Sequence, residues 1–382
     1  MIPRRCLGCG ARQDSSPPPW RCPACASPFD YDFSPSPESL REGLACTRIR
    51  GTARWLAALP LERPGGLVSL GEGAAPFVEQ GFGPLRVVLL LDHLNPSGSY
   101  KDRGAVVLVS ALVEEGAREA VEDSSGNAGA SLALYASARS LPVSIFVPST
   151  ASQGKRRLIE RLGADLVLCE GSTPAEARRE AAKQAESAAG RPGVFYASHV
   201  WHPGFRHGVK TAAFEIAAEL GSAPAAVVFP LGHGALALGL AKGFSELALA
   251  GVISRPPMLI GVQAAACAPV ARKYARLFGG EPLLEEAGET ACEGIRIDSP
   301  PLSPWVCAAI AATDGEVVTA TEEQTRAAHD DLWRRGFPVE ATSAIVAAAL
   351  VSHGGRWKQQ LGSTGRDGPV VAILTGSGFK SI

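Results

Sequence analysis

Leu94-Asn-Pro-Ser-Gly-Ser-Tyr-Lys-Asp-Arg-Gly104 decides how this chain is built, because of what lies on either side of it. Upstream, Arg86-Val-Val-Leu-Leu-Leu91 has the length and branching of a buried strand, and downstream 104–115 has a helical period. Asn95-Pro96 and Gly98 make the stretch a turn, and Lys101 emerges where the helix begins. The same order recurs along the chain. Val143-Ser-Ile-Phe-Val147, Asp165-Leu-Val-Leu168, Ala225-Ala-Val-Val-Phe229, Met258-Leu-Ile-Gly-Val-Gln263 and Val370-Val-Ala-Ile-Leu374 read as further buried strands. Helical periods over 127–140, 152–163, 174–189, 208–220, 235–249 and 321–335 lie between them. Such alternation implies a largely parallel sheet covered on both faces, a doubly wound α/β fold. Sheets of this kind take ligands at the carboxyl ends of their strands, so the chemistry is sought in the strand-to-helix loops.

With 37 Lys+Arg against 38 Asp+Glu, no global field draws the chain to nucleic acid or an anionic membrane surface, and a small polar substrate is expected. No stretch is apolar and long enough to span a bilayer, and the first residues lack the apolar run of a secretory signal, so the reading is a cytoplasmic protein. Four of the nine cysteines form Cys6-x-x-Cys9 and Cys22-x-x-Cys25, with the spacing of a four-thiolate zinc ribbon; the rest are scattered singly. Phe33-Ser-Pro-Ser-Pro-Glu38 reads as a boundary after this module, which is expected over 1–30 as a structural cap. His199, His202 and His207 are too loosely spaced to suggest a second metal site.

Four loops carry the candidate chemistry. An amine just inside a helix N-terminus, as at Lys101, meets the positive end of the dipole, which favours the neutral nucleophile that forms an imine with an aldehyde cofactor. Glu122-Asp-Ser-Ser-Gly-Asn-Ala-Gly-Ala-Ser131 runs into an apolar helix, so Ser124, Ser125 and Gly126 offer a nest for a carboxylate, and the Asn127 amide can meet a ring oxygen. In Pro230-Leu-Gly-His-Gly-Ala-Leu236, the small residues Gly232, Gly234 and Ala235 let the backbone close around a phosphate at a helix start. Val370-Val-Ala-Ile-Leu-Thr-Gly-Ser-Gly-Phe379 ends a strand on Thr375 and Ser377, either of which can present a hydroxyl to a pyridine nitrogen without fully protonating it.

Taken in this order, the four loops resemble those of the fold-type II pyridoxal-phosphate enzymes, a tryptophan synthase β-like fold, and within them the threonine synthase group. Ser69-Leu-Gly-Glu-Gly-Ala-Ala-Pro-Phe77, Gly208-Val-Lys-Thr211, Gly261-Val-Gln-Ala264, Glu293-Gly-Ile295 and Glu340-Ala-Thr-Ser-Ala344 extend the likeness over nearly the whole chain. The resemblance implies pyridoxal phosphate on Lys101, with Asn127 near the ring hydroxyl, Gly232, His233, Gly234, Ala235 and Leu236 around the phosphate, and Thr375 at the pyridine nitrogen. It implies a large domain over 31–102 and 216–382, and a small inserted domain over 103–215 that closes on the substrate. A homodimer is the expected assembly. The implied reaction removes phosphate from the γ-carbon of O-phosphohomoserine and adds water at the β-carbon. His202, Arg206 and Lys210 are the candidates for the substrate's anion, although His202 replaces the group's usual asparagine and Arg206 lies one place from the usual arginine. Ala75 and Ala235 stand where threonines are frequent. These departures keep open a serine/threonine dehydratase or a β-replacement enzyme, and, in another class, a non-catalytic regulatory protein of the same fold.

Overall fold

The computed structural model describes residues 2–381 except 16, 64, 65, 152, 281, 282, 284, 285 and 287, and except the side chains of 155, 174 and 381. The chain divides into two compact units, Met1–Glu72 with Lys101–Val209, and Gly73–Tyr100 with Lys210–Ile382. The expected helix over 152–163 begins on a residue outside the described set.

The first unit opens with β1 (Arg4–Cys6), β2 (Arg12–Gln13) and β3 (Phe29–Tyr31), an antiparallel sheet in the order β2-β1-β3. The helix α1 (Pro37–Ala45) follows, its first turn capped by the Ser36 hydroxyl and started by proline. β4 (Phe77–Phe82) and β5 (Leu85–Leu90) belong to the second unit, and α2 (Lys101–Glu114) returns to the first. There β6 (Glu119–Glu122), β7 (Val143–Pro148), β8 (Asp165–Cys169) and β9 (Val194–Tyr196) form a parallel sheet in the order β8-β7-β6-β9. Its crossovers are α3 (Asn127–Ala138), α4 (Gln153–Arg161) and α5 (Pro174–Ala188), and α6 (Pro203–Val209) completes the unit.

The second unit continues through α7 (Thr211–Leu220), β10 (Ala226–Pro230), α8 (Ala235–Leu249), β11 (Met258–Ala264) and α9 (Pro269–Phe278). It ends with α10 (Ser303–Ala311), β12 (Glu316–Ala320), α11 (Glu322–Arg334), α12 (Ala341–Ser363) and β13 (Val370–Ile373). Six strands lie in the order β12-β11-β10-β13-β5-β4, parallel except for the antiparallel edge pair β4–β5. β10, β11 and β13 are buried at every residue, as their unbroken apolar runs require of strands covered on both faces. The capping box of Thr321 and Gln324 fixes the start of α11.

Each of the six expected strands is present to within one residue at either end. The helix expected over 208–220 is divided at Lys210, where the chain passes from one unit to the other. Residues 31–72, expected with the larger domain, cluster with 101–209, and the cysteine module clusters there too. Hydrogen bonds explain this: Tyr31 Oη donates to Glu115 Oε1 at 3.0 Å, and Arg4 pairs with the same carboxylate at 2.5 Å. Among the described residues, no helix is long and apolar enough to cross a membrane.

Candidate active site

In the first unit, β6 ends on Glu122, and Asp123 to Gly126 lead into α3 at Asn127. Gly126 caps the helix without a side-chain bond, and its own N–H donates to Ser124 Oγ at 3.3 Å. A Cβ on Gly129 would lie 1.9 Å from the Ser124 carbonyl oxygen, so only glycine lets the loop fold onto this turn. Ser124, Ser125 and Gly126 thus stand half-buried at the start of a twelve-residue helix, an arrangement suited to a carboxylate. Ser131 Oγ on the same helix donates to Asp102 Oδ1 at 2.6 Å and ties α3 to the start of α2.

Lys101 is the first residue of α2, half-buried, with Nζ 5.5 Å from the centroid of the Phe205 ring on α6. Two glycines permit this approach. A Cβ on Gly104 would reach within 2.5 Å of the Phe205 ring, and one on Gly208 within 2.0 Å of the Arg103 carbonyl oxygen. Glu72, from the early glycine-glutamate loop, is buried and accepts from the Leu70 N–H at 2.8 Å, Ser69 Oγ at 3.0 Å and Tyr135 Oη at 3.0 Å.

In the second unit, β10 ends at Pro230, and Leu231 to Gly234 lead into α8. Gly234, the N-cap, has φ +99°, and a Cβ there would lie 2.3 Å from Val306 Cγ2. A Cβ on Gly232 would lie 3.1 Å from the Gly294 carbonyl oxygen. No side chain caps α8. The loop is therefore glycine by necessity, and His233, Ala235 and Leu236 complete a cradle at the positive end of a fifteen-residue helix, which fits a phosphate monoester.

Thr375 follows β13 and is buried, with Oγ1 3.1 Å from Ser343 Oγ on α12. Ser343 Oγ also accepts the N–H groups of Thr375 at 3.0 Å and Gly376 at 2.7 Å. With both lone pairs engaged, its proton is directed to Thr375 Oγ1 or to the Gly376 carbonyl at 3.2 Å. Thr375 Oγ1 can then donate onward to an acceptor such as a pyridine nitrogen. Ser343, which holds Thr375 in place, is a residue that the sequence reading did not single out, although it lies in the Glu340–Ala344 stretch. The Tyr100 N–H donates to the Thr375 carbonyl at 3.0 Å, so the residue before Lys101 is strapped to the same strand end. The Ser377 N–H donates to the Gly98 carbonyl at 2.9 Å, which makes Ser377 part of that strap.

His202, Arg206 and Lys210, expected to hold a substrate anion, are engaged inside the protein instead. Arg206 donates through Nη1 to the Val200 carbonyl at 3.0 Å and through Nη2 to the Phe29 carbonyl of β3. His202 Nδ1 accepts from the Gly204 N–H at 3.2 Å, and Nε2 lies 3.7 Å from Glu115 Oε2. Lys210 pairs with Glu246 at 2.9 Å, with its side chain wholly buried. Gathering the charge of all three onto an anion would break these bonds.

Burial alone would raise the Glu115 carboxyl, but His202 and Arg4 hold it down to about 2, against an ordinary 4.5. A depressed carboxyl contributes stability that is complete above its unfolded value and is lost as pH falls through its folded one. The urea midpoint is therefore expected to fall between about pH 4.5 and 2, and Glu115→Gln to flatten that part of the profile.

The sulfurs of Cys6, Cys9, Cys22 and Cys25 all lie within 4.8 Å of one another, with Cys6 and Cys25 3.4 Å apart and Cys9 and Cys22 3.7 Å apart. Four ligands at about 2.3 Å from a tetrahedral zinc stand about 3.8 Å from one another, so the set fits that ion. The N–H groups of Gly8 and Cys9 point at Cys6 Sγ from 3.3 and 3.5 Å, which supports a thiolate.

The family model of the pyridoxal-phosphate dependent enzymes matches residues 68–376. A threonine synthase of Methanosarcina acetivorans is 28% identical over 394 aligned positions, covering 100% of this chain and 92% of that protein. The threonine synthase of Mycobacterium leprae is 33% identical over 312 positions and 80% of each chain. In fold, the chain is similar to maize serine racemase, with a TM-score of 0.67 at 18% identity over 91% of this chain and 94% of that one. Lysine loop, phosphate cradle and buried hydroxyl, together with a match spanning both units, make this chain a threonine synthase-like member of the fold-type II pyridoxal-phosphate dependent enzymes.

Proposed function

We propose that the chain is a threonine synthase, acting on O-phosphohomoserine with Lys101 as the residue that bears the cofactor. The observation that carries this reading is the buried Ser343–Thr375 hydroxyl pair, strapped through Tyr100 to the lysine turn. Bound pyridoxal phosphate supplies an electron sink for carbanions at the α- and β-carbons. A neutral hydroxyl at its ring nitrogen suits elimination better than a carboxylate would. Lys101 would be the base that takes a proton at one carbon and returns it at the next. Ser124, Ser125 and Gly126 hold the substrate carboxylate, and Asn127 meets the ring hydroxyl. Gly232 to Leu236 hold the cofactor phosphate.

Removing the Ser343 hydroxyl leaves two buried N–H groups without their acceptor. Ser343→Ala is expected to cost on the order of 2 kcal/mol of stability and to lower kcat roughly tenfold. Urea unfolding and steady-state kinetics measure the two effects.

A second reading, elimination of water from serine or threonine, is favoured by the engagement of Arg206 and Lys210 with Phe29 and Glu246, since a hydroxyl leaving group needs no cationic pocket. Incubation of the holoenzyme with phosphohomoserine, threonine and serine separates the two. Phosphate release with threonine formation supports the first; keto-acid formation from threonine or serine without phosphate release supports the second. Turnover of any of them excludes a non-catalytic role. The reading includes closure of the region 103–215 over the substrate, zinc in the ribbon, and a cytoplasmic homodimer without nucleic-acid or membrane partners. Light scattering of the purified protein tests the dimer.

A further inference from the structure

Beyond the groups already given a role, the first unit gathers one more titratable pair near Lys101. Glu122 closes β6 and is 1% exposed. Its Oε1 lies 3.0 Å from His199 Nδ1, and its Oε2 accepts the His199 N–H at 3.3 Å. The His199 ring stands edge-on to Phe205, with centroids 5.7 Å apart, and Phe205 is the ring over which Lys101 Nζ lies at 5.5 Å. The Glu122–His199 pair and the Lys101 amine thus both pack against the Phe205 ring of α6.

We propose that Glu122, oriented by His199, is the proton reservoir of Lys101. This rests on the reading of Lys101 as the cofactor lysine. When Lys101 is uncharged, the carboxyl keeps its proton; when the amine takes that proton, one O–H bond breaks and one N–H bond forms, leaving an ammonium beside a carboxylate. His199 donates to that carboxylate and holds it in place. The electrostatics agree with both states: burial pushes the Glu122 carboxyl well above its usual range, Asp123 adds to this, and the charge of Lys101 draws it back down. The other ionisable groups on the neighbouring elements have partners of their own. Asp123 accepts from Tyr196 Oη at 2.8 Å, Asp102 from Ser131, and Arg206 and His207 bond to Phe29 and Asp30. Arg103 is buried beside Asp102 on α2. Glu122 acts through Lys101 and is thus a positioning residue.

The test uses Glu122→Gln, which keeps the shape and one of the two bonds to His199 but has no acid proton. When apoprotein is mixed with pyridoxal phosphate at pH 7, the visible absorption band of the lysine adduct should form about tenfold more slowly than in the wild type. In the holoenzyme, kcat should fall on the order of 10²-fold with KM little changed, and the alkaline limb of the kcat profile that reports the carboxyl should disappear. Glu122→Asp should recover part of the rate. His199→Gln should act in the same direction, and the double variant should lose no more than Glu122→Gln alone. The proposal is overturned if Glu122→Gln, folded by circular dichroism, forms the band at the wild-type rate and keeps its pH profile. A borohydride-reduced label found on another lysine would instead sink the Lys101 reading itself, so the two failures are told apart.

Discussion

Substitution of Lys101 by alanine is expected to abolish the visible absorption band of cofactor-loaded protein and to lower kcat by on the order of 10³-fold or more. The lysine stands in the first turn of α2 and is half-buried. The variant should therefore fold, with a melting temperature within a few degrees of the wild type. Borohydride reduction followed by peptide mapping gives the direct reading: a covalent pyridoxyl group on the peptide containing Lys101 in the wild type, and none in the variant. A variant that keeps both the band and the label would end the assignment.

The second large effect is expected at the ribbon. Cys22 is buried, and its sulfur lies 3.7 Å from that of Cys9. Cys22→Ser removes one of the four sulfurs proposed to hold zinc, in a module whose strands continue directly into the bonds that hold Arg4, His202 and Arg206. Phe29 and Asp30, which hold Arg206 and His207, lie just past the fourth cysteine. Loss of the ion should thus leave buried cations without their acceptors. We expect a loss of about 4 kcal/mol or more, at the upper end of single-substitution effects. Thermal unfolding of the first unit, followed with and without a zinc chelator, measures it. Chelation should reproduce the variant's shift in the wild type and add nothing in the variant. Equal melting of the two proteins would show that the four sulfurs carry no ion.

The sheets were legible because their strands are unbroken apolar runs, and the turns that lead into α2 and α8 because their glycines and polar residues stand out at strand ends. α12 was not, for a physical reason: Ala344 to Leu350 is buried all round, so the segment has no polar face and no 3.6-residue period to read. Ser343 disappeared with it. Glu122 was hidden because a single acidic residue at a strand end looks like a solvated one until its neighbours are known. The bonds of Arg206 were not legible either: it donates to the backbone carbonyls of Val200 and Phe29, the latter 177 residues away, and no pattern in the sequence marks a carbonyl as an anchor.

The pairing of β5 with β13 sets the order in which the molecule can assemble. Val87 lies beside Val370, so about 280 residues must be synthesised before β5 meets its inner neighbour. The first unit, by contrast, has all its strands once residue 209 has left the ribosome. Until the last segment arrives, β4 and β5 form a lone hairpin with one apolar, hydrogen-bonding edge exposed, and such edges recruit other chains. Aggregation during expression should therefore depend on protecting this hairpin. Slower synthesis would prolong its exposure, and a chain truncated before Val370 should be insoluble even though its first unit can fold.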